Sequence, residues 1–407
     1  MRLARLAGIL LYALAGAASS AAPEPQEGLY LNAMRAIADG RQDDASDVLS
    51  RMVTLEPQHA GAWLDLAIIQ CELGHAAEAE RLFEAIVTRF APPPGILEVI
   101  AVSRARGCAG WHAGSKLSVL AGRGADSNVN QGASSPSFSF GYGENATQAQ
   151  LLPEFLPRRD QFTVLQADYS RDLTPNGTSG TVQFQARFND RLTKYNAAAV
   201  IVAAEHPWRW RDLSVRGIGS FGLLGLGGKL YQAQTVLQAR VTPVIAALPE
   251  NLQLTLTPGF AHVKYPTLTN YDANTVELRT QLTWRLPQAE FNAAAGYMAD
   301  FAVSARPGGY RTGWTTGIRG TTRIAGGILG ELGWSRQTWQ SQSAYSPGLI
   351  DTLRHQDLQI LRGTLIFPIQ KGNTLQLELR NVHNAENISI FQYNSRQVQL
   401  SWQWQNF

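Results

Sequence analysis

Gly217-Ile-Gly219-Ser-Phe-Gly222 has the spacing of a dinucleotide-binding turn, in which glycines let the backbone approach a pyrophosphate. That chemistry needs a strand before the turn and a helix after it. Here the glycines lie inside a strand-like run with no helix pattern following, so a bend or a close backbone contact accounts for them better. Gly228-Lys229 lacks the Ser or Thr that follows the lysine of a phosphate loop. The seven histidines (59, 75, 112, 206, 262, 355 and 383) show no metal-ligand spacing. No Gly-x-Ser-x-Gly elbow is present to present a nucleophilic serine. Asp351 and His355 could be read as part of a hydrolytic site, but a lone pair of this kind is more often an ordinary loop or rim contact. The sequence therefore reads as a non-enzyme, with no catalytic, cofactor or metal residues. Cys71 and Cys108 are too few for a disulfide framework. A pair formed in an oxidising compartment and two buried thiols both fit them.

The 407 residues are enough for two domains. Hydrophobic residues make up 44% and charged residues 16%. That charged fraction is well below the roughly 25% of a soluble domain, which argues against both a cytosolic enzyme and a disordered chain. The net charge of +3 is unevenly spread. Residues 23–108 carry 7 basic and 13 acidic side chains, and residues 109–407 carry 26 and 19. An acidic segment thus precedes a basic one, which supports a division into two parts. There is no Lys/Arg cluster interleaved with aromatics, so nucleic acid is not an expected partner.

Residues 1–22 read as a signal peptide. Arg2 and Arg5 form the basic start, Leu6 to Ala18 the apolar stretch, and Ser19-Ser20-Ala21-Ala22 the small-residue site at which cleavage is expected. The apolar stretch is short for a spanning helix. No later segment offers 18 consecutive apolar residues, so any membrane-embedded part must cross by strands.

Residues 23–108 read as a helical domain with an internal repeat of 34. At that offset Gly40 matches Gly74, Ala45 matches Ala79, Leu49 matches Phe83 and Met52 matches Ile86. Pro57 ends the first unit, and Trp63, Leu66 and Ala67 open the second. The pattern resembles the tetratricopeptide repeat (TPR), in which small alanines let paired helices approach and the glycine turns the chain between them. A third helix, Pro94–Arg106, is expected to cap the stack, with Pro92-Pro93-Pro94 marking its start. Such repeats offer a peptide-binding face, and Trp63, Leu66 and Gln70 are the candidate client contacts.

From residue 109 to 407 the period changes from 3.6 to 2. Val182, Phe184, Ala186 and Phe188 alternate with Gln183, Gln185 and Arg187; Leu375, Leu377 and Leu379 alternate with Gln376, Glu378 and Arg380. The strands are expected to run about 10–14 residues, twice the usual length. Their polar face is rich in Gln, Asn, Thr and Arg, and Trp residues gather toward strand ends, as in an interfacial girdle. Only a closed barrel satisfies every strand hydrogen bond in lipid. The fold class is thus an all-β outer-membrane barrel of about 14 antiparallel strands behind a small all-α TPR-like domain. Strands are expected to begin near His112, Phe162, Thr178, Leu192, Leu213, Leu230, Asn251, Asn274, Ala289, Tyr310, Gly327, Arg354, Asn373 and Ile390. Asp126–Asp160 is the expected first outer loop. Trp402, Trp404 and the terminal Phe407 read as a barrel insertion signal, with a bulge at Gln405-Asn406 bringing Phe407 into phase.

The helical part ends at Phe90-Ala-Pro-Pro-Pro-Gly-Ile-Leu-Glu-Val-Ile100, and Trp111 opens the barrel. The first strand runs into Gly122-Arg-Gly-Ala-Asp126-Ser-Asn-Val-Asn130. With about fourteen strands after a TPR segment, this organisation resembles the surface lipoprotein assembly modifier (Slam) family of Gram-negative bacteria. Asp126, Ser127, Asn128 and Asn130 are similar to that family's aspartate–serine–asparagine segment. The resemblance covers residues 27 onward. It implies a translocon in the outer membrane, with the TPR domain receiving a secreted lipoprotein or other surface-protein client in the periplasm. The barrel would then pass the client outward through its lumen or the seam between first and last strands. It implies outer-membrane lipids, the barrel assembly machinery and periplasmic chaperones as partners. Two other classes share parts of this architecture: a TPR-barrel polysaccharide exporter and a plain porin.

Overall fold

The computed structural model describes residues 26–108, 111, 113–140, 147–210, 213–245, 247–249 and 251–406. The expected signal peptide, its cleavage site, His112 and Phe407 lie outside the described residues. The chain forms two compact units.

The first unit is helical: α1 (Gln26–Ala38), α2 (Gln42–Leu55), α3 (Ala60–Glu72), α4 (Ala76–Phe90) and α5 (Pro94–Arg106). The 34-residue offset reappears as burial. Ala45 and Ala79 are both 0% exposed, and Leu49, Phe83, Met52 and Ile86 are all 2% or less. Gly40 and Gly74 turn the chain with φ of +73° and +84°, a left-handed conformation glycine adopts without strain. His59 caps α3, its Nδ1 accepting the Ala62 N–H at 3.0 Å. Pro94 stands at the start of α5, where its missing N–H costs nothing. Cys71 on α3 and Cys108 after α5 form a disulfide, with Cα atoms 4.5 Å apart. Of the two states open to these cysteines, the structure takes the bonded one.

The second unit is a closed antiparallel barrel of fourteen strands. These are β1 (Ser115–Asp126), β4 (Asp160–Asp172), β5 (Ser179–Asn189), β6 (Ala197–Trp210), β7 (Leu213–Leu226), β8 (Lys229–Pro243) and β9 (Leu252–Lys264), followed by β10 (Ala273–Arg285), β11 (Ala289–Ala302), β12 (Arg311–Arg323), β13 (Leu329–Ser346), β14 (Ile350–Gln370), β15 (Asn373–Glu386) and β16 (Tyr393–Gln405). The remaining two strands, β2 (Ser137–Phe140) and β3 (Thr147–Gln150), form a hairpin within the loop after β1. Consecutive strands pair around the ring, and β1 closes it against β16.

Most expected strand starts fall within a few residues of the observed ones. Leu192 and Ile390 are corrected to Ala197 and Tyr393, because 3-10 turns at Thr193–Tyr195 and Ser389–Phe391 precede those strands. A single helical turn carries no periodicity that separates it from a strand end. Arg354 is corrected to Ile350, and β13 and β14, at 18 and 21 residues, exceed the expected length. Their hairpin carries register shifts between Gln340 and Ser346, an irregularity invisible to alternation alone. No bulge occurs at Gln405-Asn406. Strand β16 pairs in register through Gln405, and Asn406 then bonds Leu117.

The barrel is inverted relative to a soluble core. Val398, Leu400 and Trp402 stand 43%, 50% and 43% exposed on the outer wall. Gln397, Gln399, Ser401 and Gln403 alternate with them and line the lumen. Such apolar rows lower the free energy only against lipid, at about 25 cal/mol per Å² removed from water. Connections at one end of the barrel are on the whole longer than those at the other. The end carrying loops 127–159, 265–272 and 303–310 is the long-loop end, and β1 starts from the opposite one.

Candidate functional site

Asp126, the last residue of β1, is a carboxylate only 4% exposed. Its Oδ2 accepts from Arg187 Nη2 at 2.7 Å and from Gln397 Nε2 at 2.9 Å. Its Oδ1 accepts from the Ser395 hydroxyl at 2.7 Å and from the Asn128 N–H at 2.8 Å. Four donors compensate the loss of water that makes a buried charge costly. Gln397 and Ser395 belong to β16, so this cluster spans the junction of first and last strands. Arg187 also stacks on Phe162, with its guanidinium 3.8 Å from the ring centroid.

The residues after Asp126 extend the junction. Ser127 donates its N–H to the Arg396 carbonyl at 3.0 Å, and its hydroxyl accepts the Arg396 N–H at 2.8 Å. Asn128 is 2% exposed. Its amide nitrogen donates to the carbonyls of Gly132 and Asn394, both at 2.9 Å, and its Oδ1 accepts the Gly132 N–H at 2.8 Å. A Cβ on Gly132 would lie 2.3 Å from the Leu156 carbonyl carbon, so only glycine lets this loop close. Asn130 reaches the far side of the loop, donating to Glu154 and Leu156 carbonyls and accepting the Arg158 N–H at 2.9 Å. The whole segment is a latch across the seam at the long-loop end. At the other end, Asn406 Oδ1 accepts the Leu117 N–H at 2.8 Å and its own N–H donates to the Leu117 carbonyl at 3.2 Å.

The same register row continues around the lumen. From Asp126 it passes to Gln397, Arg380, Arg362, Gly333, Arg319 and Asn292. Arg362 and Arg380 are direct cross-strand partners, a like-charge arrangement that destabilises a sheet unless something else compensates. Arg319 pairs with Glu331 at 3.0 Å and Arg362 with Glu378 at 3.6 Å. The Nε of Arg380 is buried without a hydrogen-bond partner. A cavity of about 590 Å³ lies against this row, with Asn292, Ser335, Gln281 and the acids Glu290 and Glu331 beside the three arginines. Of the three arginines, Arg380 alone has no ion pair among the described residues, so it is the member of the row open to an anion. It was not singled out from sequence. The alternation puts Arg380 on the polar face, but which strand faces it depends on pairing.

In the helical unit the three candidate client contacts differ. Leu66 is 3% exposed in the helical core, so the structure corrects its assignment as a surface contact. Trp63 is half-buried: its indole N–H donates to the Pro57 carbonyl at 3.2 Å, and Arg89 stands over its ring at 5.5 Å. Gln70, also half-buried, donates to the Ser46 hydroxyl at 2.8 Å and contacts His75 Nδ1 at 2.6 Å. Nearby, Tyr30 donates to Asp65 at 2.7 Å. Burial, reinforced by Asp65, pushes the Tyr30 hydroxyl up to about 12.

Trp402 lies on the outer wall, its indole N–H donating to Asn373 Oδ1 at 3.2 Å, and Trp404 points the same way two residues on. The glycines at 217, 219 and 222 all lie within β7, outside any dinucleotide-type turn. Asp351 Oδ1 accepts the Gly348 N–H at 2.7 Å, which anchors a turn. His355 is four strand residues away, about 13 Å. The two therefore do not form a relay. Among the described residues no group of three or more His, Cys, Asp or Glu could hold a metal ion.

The tetratricopeptide repeat family model matches residues 36–94, from the end of α1 to the first residue of α5. No curated protein sequence matches the chain. The barrel is similar to that of an anion-selective porin from Comamonas acidovorans: 7% identity, covering 72% of this chain and 100% of that one, with a TM-score of 0.39. It is similar to the outer membrane channel DcaP of Acinetobacter baumannii: 10% identity, 72% and 97% coverage, TM-score 0.40. A bacterial polysaccharide outer membrane secretin matches at 9% identity, 72% and 98% coverage, TM-score 0.38.

Proposed function

We propose that this chain is an outer-membrane translocon that delivers a lipoprotein or related secreted protein to the bacterial cell surface. The observation that carries the reading is the presence, in one chain, of a TPR unit and a closed fourteen-strand barrel with a polar lumen. A porin would need only the barrel. In this reading the TPR unit receives the client in the periplasm, an oxidising compartment in which the Cys71–Cys108 bond persists. The barrel then passes the client outward. Barrels of 16–18 strands hold an aqueous channel, so a lumen bounded by fourteen is narrower and takes a chain only unfolded. The β1–β16 seam is the other route, and the Asp126–Asn130 latch would then have to open. Outer-membrane lipids, the barrel assembly machinery and periplasmic chaperones remain proposed partners.

A second reading is export of an anionic polysaccharide. Arg380, which among the described residues has no ion pair in the lumen row, favours it, because a guanidinium group facing a lumen holds carboxylate, sulfate or phosphate well. Protease shaving of intact cells, with and without this gene, separates the two. The translocon reading expects one or a few proteins to leave the shaved fraction while persisting in whole-cell lysate. An unchanged shaved set, together with loss of surface polysaccharide, would reject the translocon and support the exporter.

A further inference from the structure

We propose that the outer wall of the barrel, at the long-loop end of the β1–β16 seam, binds the phosphorylated headgroup of an outer-leaflet glycolipid. A cavity of about 780 Å³ opens there, lined by Arg159, Arg191 and Arg396 above Ala125, Leu379 and Val398. Among the described residues, these three guanidinium groups make no side-chain hydrogen bond and no ion pair within 4 Å, and Arg191 acts on Asp190 only at longer range.

The nearby acids are already engaged. Asp126 holds its four donors. Asp160 accepts the backbone N–H groups of Gln161, Arg191 and Leu192 at 2.9, 2.8 and 2.7 Å. Asp190 is clasped by both Nη atoms of Arg123 at 2.8 Å, and that guanidinium holds its carboxyl below the usual range. Asp126 and Asp190 are ion-paired to Arg187 and Arg123, which leaves three arginines against the single charge of Asp160, a cationic excess at the cavity.

The lipid source follows from what lies beneath. Arg396 shares the outer face of β16 with Val398 and Leu400, 43% and 50% exposed, and Leu379 beside Val398 is 57% exposed. A ligand that fills the cavity meets guanidinium groups at one end and an apolar wall at the other. Inorganic phosphate uses only the first, whereas a phosphorylated amphiphile uses both. The placement in the outer leaflet rests on the long loops facing the exterior, as outer-membrane barrels are built. It is independent of what the barrel transports.

The test is native mass spectrometry of the full chain in detergent, titrated with diphosphoryl lipid A, with the same lipid stripped of phosphate, and with inorganic phosphate as competitor. The expected result is diphosphoryl adducts at about a tenth of the concentration needed for the stripped lipid. That preference should be lost in the triple variant R159Q/R191Q/R396Q. Heat-modifiable gel migration checks that the variant is folded, and the comparison of two lipids on the unaltered protein needs no variant. Equal binding of both lipids, or an unchanged preference in the folded variant, overturns the proposal. Displacement by equimolar inorganic phosphate also overturns it, because the site would then be a simple anion site.

Discussion

Asp126 and Asn128 sit side by side, but the fold uses them differently. Asp126 is a charge held by donors from two strands, β5 and β16, and its own loop; Asn128 is a neutral amide whose side-chain bonds all go to backbone. Removing the amide leaves the Gly132 N–H and carbonyl buried without that partner. Each such group costs about 1–3 kcal/mol. Asn128→Ala is therefore expected to lower the urea midpoint for loss of the compact, heat-modifiable band. Ser127→Ala should lower it less, because the backbone bond from residue 127 to Arg396 survives. Equal midpoints for N128A and the unaltered chain would show that the latch contributes nothing to closure. The residue types were readable in the sequence as turn formers. Their partners were not, because Ser395, Gln397 and Asn394 lie more than 260 positions away and meet them only when the ring closes.

Among the elements, α5 depends most on a covalent tie. Ile100 is its one fully buried apolar side chain among the described residues, while Leu97, Val99 and Val102 are 40–42% exposed. The Cys71–Cys108 bond closes a separation of 37 residues and fastens the end of α5 to α3. Loop-closure entropy gives such a link roughly 3–4 kcal/mol. The double variant C71S/C108S should lower the melting temperature of the helical signal at 222 nm and leave the barrel transition in place. Reductant should do the same to the unaltered protein and nothing to the variant. An unchanged helical transition would reject the role. Here sequence went far. The 34-residue offset named the buried positions in both repeats, because close helix packing demands small or apolar residues at fixed places. Leu66 shows the limit: an apolar residue at a repeat position reads equally as core or as binding face, and only packing separates them.

For the whole molecule, the balance of surfaces decides behaviour. The described helical unit has a conventional apolar core, while the barrel turns its leucines outward and its glutamines and arginines inward. Glu331 and Glu378 offset Arg319 and Arg362, and Arg380 is left as the excess positive charge of the row, so the lumen is expected to favour anions. In planar bilayers under a KCl gradient, the reversal potential is expected to report that preference. The double variant R362Q/R380Q should cut the anion-to-cation permeability ratio by roughly a factor of two. An unchanged ratio would mean that the row lies outside the ion path.

Taken alone, the sequence determined the two-part organisation, the repeat, the alternation and a strand number of about fourteen. Each depends on periodicity along the chain, which lipid, water and helix packing impose locally. Tertiary structure decided everything that depends on two distant segments meeting. It set the strand register that brings Arg362 opposite Arg380, the disulfide, and the latch that turns Asp126–Asn130 from a loop signature into the fastening of the seam. A period of two places a side chain inside or outside the wall. It carries no information about which residue of the neighbouring strand stands beside it, and in a barrel that neighbour sets both charge and closure.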